Sequence, residues 1–153
     1  MTTLPLLSLL LAMPLLGAFG CLLLRDERAS RALAIATASL ALAASLVMLL
    51  YFDPSNGGFQ LQEKLPWIPS LGLNYFVGVD GLSVLFLPAT TLLFLSALIC
   101  TGRGLKPFPG LYFALVLLLE TATLGVFCAL DTMLFFFFWE FTLLPLYFLI
   151  GLW

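Results

Sequence analysis

A single carboxylate, Glu140, lies in the middle of the apolar run FFFFWEFTLLPLYFLIGLW at residues 135–153. If this run is a membrane helix, an ionised acid at its centre costs about 3 kcal/mol on insertion scales. The acid is therefore neutral unless a cation or water compensates for the lost solvation. An acid poised between these two states can carry a proton. We prefer this interpretation to a protonated acid that serves only helix packing.

A second carboxylate, Glu120, is predicted at a similar depth. Asp131 marks a tight turn between two apolar runs, with Glu140 nine residues after it and Glu120 eleven residues before it. These spacings correspond to about 14 and 16 Å along two antiparallel helices, near the middle of a bilayer. The spacing does not decide whether the two acids face each other. Thr121 and Thr123 leave open that Glu120 belongs to an ordinary polar contact between helices.

Three further residues are candidates for supporting roles. Pro145 removes the hydrogen bond to the carbonyl of Phe141, which is next to Glu140 in the sequence. Tyr147 is seven residues after Glu140, on the same helical face, and is predicted to bind water there. Pro88 breaks a helical hydrogen bond in the same way, but for this residue alone a simple kink is the favoured interpretation.

The composition predicts an integral membrane protein. The 153 residues are 63% hydrophobic and only 9% charged, whereas soluble domains usually carry about 25% charged residues. The net charge of −2 and the absence of a basic patch argue against a nucleic-acid partner. With three scattered cysteines and no histidine, the sequence predicts no metal site. No catalytic residue is predicted either, because no nucleotide or iron–sulfur motif is present.

The positioning elements are predicted to be about five transmembrane helices in a single domain, residues 1–153. Each apolar run has about 20 residues, enough to span the hydrocarbon core as a helix, and none alternates as a barrel strand would. The predicted fold class is therefore an all-α integral membrane protein in contact with the lipid bilayer. The predicted spans are about 4–24, 32–52, 80–100, 110–130 and 132–153.

The long connection at 53–79 is predicted to carry a short extramembrane strand or hairpin. Leu71, Leu73, Tyr75, Val77 and Val79 occupy alternating positions, which is the period of a half-buried strand.

Aromatic and acidic residues near this connection have further predicted places. Trp67 and Tyr75 suit the headgroup level. Asp80 and Asp131 are predicted as helix caps.

Basic residues predict the orientation. Segment 25–31 carries Arg25, Arg28 and Arg31, and segment 101–109 carries Arg103 and Lys106. Because short cytoplasmic loops are enriched in Lys and Arg, both segments are predicted to be cytoplasmic and the N-terminus to lie outside.

Three segments carry a family resemblance: LGLNYFVGVDGLSVLF (71–86), LLLETATLGVFCALDTMLFFFFWE (117–140) and FTLLPLYFLIGLW (141–153). They resemble subunit M, also called chain 4, of the proton-translocating NADH-quinone oxidoreductase, respiratory complex I. The resemblance implies an antiporter-like proton channel in the membrane arm of the complex. The family glutamate matched by Glu140 is a key residue of the proton path and pairs with a lysine on helix 7.

The resemblance also implies the surroundings of the chain. No redox cofactor is expected here, since FMN, iron–sulfur clusters, NADH and quinone bind to partner subunits. The expected partners are subunits L and N and the small membrane subunits, in the inner (plasma) membrane of a bacterium. A complete subunit M is expected to have about fourteen helices with two inverted five-helix repeats, a plan common among transporters. This chain therefore looks like an N-terminal fragment that lacks the helix 7 lysine.

Two alternatives remain open from the sequence. One is a subunit of an Mrp-type sodium/proton antiporter, and the other is a structural membrane fragment that conducts nothing. The residues do not identify the quinone, and they do not separate proton from sodium transport.

Overall fold

The computed structural model describes residues 5–102, 104–105 and 108–153. Within these residues the chain forms five α-helices long and apolar enough to cross a membrane, and one antiparallel hairpin. A 3-10 turn, Pro69–Leu71, connects the two strands. The predicted fold class, with a hairpin between the second and third helices, is confirmed. The elements are α1 (Leu6–Leu23), α2 (Glu27–Tyr51), β1 (Gln60–Ile68), β2 (Leu73–Val79), α3 (Ser83–Cys100), α4 (Pro109–Cys128) and α5 (Thr132–Leu152).

Two parts of the sequence-based prediction fall outside the described residues. These are the start of the first span at residue 4, and the basic residues Arg103 and Lys106.

The second helix begins earlier than predicted. α2 starts at Glu27 rather than residue 32, because the Asp26 carboxylate accepts a hydrogen bond from the Ala29 amide, 3.0 Å away, and caps the helix. Arg28 and Arg31 consequently lie in its first turns and not in a loop. The apolar run marks the part of a helix that crosses lipid, whereas a charged first turn outside the lipid leaves no such signal.

The third helix begins later than predicted, at Ser83 rather than residue 80. Asp80 precedes it, and its carboxylate accepts hydrogen bonds from the amides of Leu82, at 3.2 Å, and Ser83, at 2.7 Å. The bonds from Ser83 hold the pKa of the Asp80 carboxyl below its usual range. Asp80 therefore satisfies amides at the start of α3 from just outside the helix, as capping residues do.

The connection between α4 and α5 is longer than Asp131 alone. α4 ends at Cys128 rather than residue 130, and the next two residues run alongside β2. Ala129 bridges to Val77, and the Leu130 amide donates to the carbonyl of Phe76 at 2.9 Å. The hairpin thus fixes the turn from which α5 begins.

Burial in β2 differs from the predicted alternation. Leu71 lies in the 3-10 turn rather than in the strand, and Val77, Gly78 and Val79 are all buried. A Cβ atom added at Gly78 would lie 2.6 Å from a methyl carbon of Leu130, so the segment before α5 covers the second face of the strand. The end of β2 is therefore buried on both faces.

α4 is the most buried helix and α5 the least buried of the five. Two glycines let neighbouring helices approach α4 closely. A Cβ added at Gly110 would lie 2.5 Å from the carbonyl oxygen of Cys21 in α1, and one added at Gly125 would lie 2.3 Å from the ring of Phe138 in α5. Small residues at such contacts are typical of membrane helices, which associate through close packing.

Candidate functional site

Glu140 lies on the exposed face of α5, in an open groove of about 500 Å³. We call this the Glu140 groove, and its other lining residues are all apolar. Without solvent an ionised carboxylate there needs a positive partner or water, whereas a protonated acid does not. The lining residues are Trp67, Leu73, Met133, Phe136, Phe137, Glu140, Phe141 and Leu144.

The cap and the packing of α5 set the direction in which Glu140 points. The Asp131 carboxylate accepts from the amides of Met133, at 2.9 Å, and Leu134, at 3.3 Å, and so begins the helix. Phe138 packs against α4 at Gly125. Glu140 follows Phe138 by two residues, or about 200° around the helix, and is therefore directed away from α4.

Pro145 and Tyr147 lie on different faces of α5. Pro145 is buried, as expected for a residue on the side of the bundle. Tyr147 is 74% exposed, on the same side of the helix as Glu140. The structure therefore brings Tyr147, but not Pro145, to the face that carries the acid.

The hairpin forms one end of the Glu140 groove. The ring of Trp67 in β1 meets the ring of Phe137 edge to face, with centroids 5.9 Å apart. Phe137 in turn stacks on Phe141 at 6.1 Å. The phenylalanines of this run therefore lie on different faces of α5. Phe138 packs on α4, while Phe136 and Phe137 line the groove.

Glu120 has a different environment. Its side chain is fully buried in α4, and within the described part of the chain neither carboxylate oxygen has a hydrogen-bond partner. Thr121 and Thr123 donate to the carbonyls of Leu117 and Leu119 in their own helix, and not to Glu120. A buried carboxylate without a partner is costly in its charged form, so this position favours the neutral acid.

The two acids point in different directions. Phe127 of α4 stacks on Phe86 of α3, with centroids 4.9 Å apart, and Glu120 shares its helical face with Phe127 because they are seven residues apart. The side of α4 that meets α5 lies about 140° away, at Gly125. Glu120 therefore faces α3, Glu140 faces the open groove, and the matched depth does not place the two carboxylates together.

A polar cluster that the sequence did not predict lies between the hairpin and α1, and we call it the Glu63 clamp. The Glu63 carboxylate accepts from the Leu7 amide at 2.7 Å, from the Ser8 amide at 3.2 Å and from the Ser8 hydroxyl. Pro5, at the N-cap of α1, has no side-chain acceptor, so Glu63 takes the role of the missing cap. No local sequence pattern predicts this contact, because Glu63 is 55 residues from Ser8.

Tyr75 of β2 completes the Glu63 clamp. Its hydroxyl is 2.8 Å from the Ser8 hydroxyl. Burial raises the pKa of the Tyr75 phenol above its ordinary value, so the phenol is protonated at neutral pH and can donate to Ser8. Tyr75 then donates to Ser8, and Ser8 donates to Glu63.

We expect Glu63→Ala to loosen the first turn of α1. The amides of Leu7 and Ser8 lose their acceptor, and loss of a helix cap costs about 0.5–2 kcal/mol. Hydrogen exchange should therefore accelerate about tenfold at these amides, as a cost of about 1.4 kcal/mol implies. Gln62→Ala is the matched control, since Gln62 is exposed and, among the described residues, its side-chain amide donates to the Phe59 carbonyl and not to α1. Equal exchange in the two variants would show that Glu63 does not cap α1.

Comparisons with known proteins identify the relatives of this helix bundle. A "F(420)H(2) dehydrogenase subunit M" of Methanosarcina mazei is 33% identical over 150 residues, covering 98% of this chain and 30% of the relative. "NADH-quinone oxidoreductase subunit M" of Escherichia coli is 35% identical, covering 97% of this chain and 31% of the relative. The chain is homologous to subunit M, also called chain 4. The resemblance found in the sequence is therefore confirmed.

Further comparisons agree with the subunit M relationship. "NAD(P)H-quinone oxidoreductase chain 4 1" of a Synechococcus strain is 41% identical over 156 residues, covering 97% of this chain and 28% of the relative. The chain spans about a third of the length of these subunit M relatives. No model of a protein family matches the chain.

A solved structure has the same fold. It is a chain of the membrane-bound sulfane sulfur reductase, an archaeal respiratory membrane complex, and it matches 89% of this subunit M homologue with a TM-score of 0.72. The sequences are 20% identical and the match covers 21% of the solved chain, so the likeness supports the helix arrangement alone.

Proposed function

We propose that this chain is part of a membrane-arm subunit of NADH-quinone oxidoreductase and contributes an antiporter-like proton channel. NADH oxidation and quinone reduction elsewhere in the complex then drive proton translocation through it. The observation that carries this proposal is Glu140, an acid in an otherwise apolar groove of a chain homologous to subunit M. In this proposal Glu140 is the residue that takes up and releases the proton.

The Glu140 groove explains how the proton is exchanged. A lysine brought into the groove stabilises the carboxylate and expels its proton, and withdrawal of the lysine lets the acid bind a proton again. The family resemblance assigns that lysine to helix 7, beyond the 153 residues of this chain. Tyr147 is on the exposed face and hydrogen-bonds water that reaches Glu140.

Glu120 has a secondary place in the proposal. Its burial and its lack of a partner among the described residues favour a neutral acid that exchanges protons only when water enters the bundle. Because it faces α3, Glu120 serves the path as a separate site and not as a direct partner of Glu140. Pro145 is proposed as the helix break that admits this water, whereas Pro88 is proposed only to kink α3.

The same proposal specifies the cofactors, the neighbouring subunits and the membrane orientation of the chain. It holds no redox cofactor, and FMN, iron–sulfur clusters, NADH and quinone bind to other subunits. Subunits L and N and the small membrane subunits are its neighbours in the inner membrane of a bacterium. The N-terminus faces outward, and the ends carrying residues 25–31 and 101–109 face the cytoplasm, consistent with their basic residues.

Proton uptake by inside-out vesicles tests the proposal. Vesicles from cells that contain the complete complex should acidify with NADH, and those from cells lacking the gene for this chain should not until the gene is restored. A quinone-site inhibitor should abolish the uptake. A proton gradient formed by ATP hydrolysis instead of NADH oxidation, and dissipated by added sodium only when the gene is present, would instead favour an Mrp-type antiporter. Undiminished uptake without the gene would leave only a structural role.

A further inference from the structure

A groove rich in arginine lies at the opposite end of the bundle from the hairpin. We call it the arginine groove, and its volume is about 640 Å³. It is formed by one face of the first turns of α2, at the end where α3 finishes. We propose that the arginine groove binds the phosphate of an anionic phospholipid, with the acyl chain along its deeper, apolar part. The lining residues are Glu27, Arg28, Arg31, Ala32 and Ile35.

The length of α2 places the arginine groove at the level of lipid headgroups. α2 has 25 residues, or about 37 Å, whereas the hydrocarbon core is about 30 Å thick. The other spanning helices have 18 to 21 residues. The first turns of α2 therefore extend out of the hydrocarbon into the headgroup region, which is where lipid phosphates lie.

The guanidinium of Arg31 is held in position. One nitrogen donates to the carbonyl of Ile99 in the last turn of α3, at 2.9 Å. A guanidinium has five N–H donors, so this bond leaves several for a second acceptor, and arginine matches phosphate in a bidentate manner. Arg28 is one turn nearer the start of α2 and is exposed.

The single acid of the arginine groove is already engaged. The Glu27 carboxylate accepts a hydrogen bond from the Gly104 amide at 2.8 Å. Two arginines and one glutamate give the lining a net charge of +1, so it attracts an anion.

The deeper part of the groove selects a lipid over a free phosphate. Ala32 and Ile35 lie on the same helical face as the arginines, and Ile35 is about 6 Å deeper than Arg31. The two arginines above an apolar strip match the two parts of a phospholipid, its phosphate and its acyl chain. Basic residues on the cytoplasmic side of transmembrane helices are known to bind anionic headgroups.

Lipid retention tests the proposal. The 153-residue chain is reconstituted in vesicles of equal phosphatidylglycerol and phosphatidylcholine, and native mass spectrometry measures which lipid remains bound. We expect preference for phosphatidylglycerol, falling about fivefold in Arg28→Gln and about 25-fold in Arg28→Gln with Arg31→Gln, as each basic residue near an anionic surface contributes about 1 kcal/mol. Circular dichroism confirms that each variant is helical. Arg28→Gln alone is decisive if the double variant fails to fold.

Arg25→Gln is the matched control, because it removes the same charge from a neighbouring groove with different lining residues. The preference should change less than twofold in this variant. A loss equal to that of Arg28→Gln would mean diffuse attraction to the surface and would overturn the proposal. Unchanged preference in the Arg28→Gln variant would mean that Arg28 does not hold the lipid phosphate and would also overturn the proposal. Displacement of phosphatidylglycerol by millimolar glycerol phosphate would mean a soluble anion site and would also contradict the proposal.

Discussion

Replacing Glu140 with glutamine should lower NADH-driven proton pumping by about tenfold while the complex still assembles. Glutamine keeps the size of the side chain and, like the protonated acid, has one donor group and one acceptor oxygen, but it can neither exchange a proton nor carry the negative charge that a lysine would pair with. Loss of a proton-transferring group typically costs about 10²-fold or more in the step it serves. Pumping through other subunits keeps the measured loss smaller. Quenching of a pH-sensitive dye in inside-out vesicles measures the effect.

Three comparisons make the Glu140→Gln result interpretable. Native gels and NADH oxidation with an artificial electron acceptor report assembly and the redox subunits, and both should be unchanged. Glu120→Gln should lower pumping less than Glu140→Gln, because Glu120 is buried away from the Glu140 groove. Normal pumping in Glu140→Gln vesicles would exclude Glu140 from the proton path, whatever the family of the chain.

The depth of the two acids could be predicted, but their directions could not. Depth follows from residue counting, since each helical residue advances about 1.5 Å. Direction depends on which face of a helix packs against its neighbours. α5 is apolar nearly all round, so no stripe in its sequence distinguishes the face that meets α4 from the face that carries Glu140. The contact between Phe138 and Gly125 decides the matter, and only the fold supplies it.

The five membrane-spanning helices could be predicted because a helix that crosses the bilayer needs a long apolar run. The ends of these helices were harder to predict, since Asp26 caps α2 among charged residues and Asp80 caps α3 from outside the helix. The Glu63 clamp was invisible for a different reason. A glutamate in an extramembrane loop is ordinary in any sequence, and its role arises only because the hairpin folds back over the start of α1.

Gly110→Ala should produce the largest loss of stability among the single-residue changes considered. The new Cβ would lie 2.5 Å from the carbonyl oxygen of Cys21 and 2.6 Å from that of Leu24. Both neighbours are backbone atoms, so the clash cannot be relieved by a side-chain rotation, and α1 must separate from α4. Overpacking of this kind costs about 1–3 kcal/mol. A thermal unfolding midpoint about 5 °C lower is expected for the purified chain.

Gly151→Ala is the matched control for this prediction. Gly151 also lies in a helix, but an added Cβ there would meet no atom within 4 Å. Alanine is a better helix former than glycine by about 1 kcal/mol in a helix interior and by less near an end, so this variant should not be destabilised. The opposite signs separate close packing from helix propensity, because propensity alone would stabilise both variants. Stability unchanged in Gly110→Ala would mean that α1 and α4 are not held at the distance seen here.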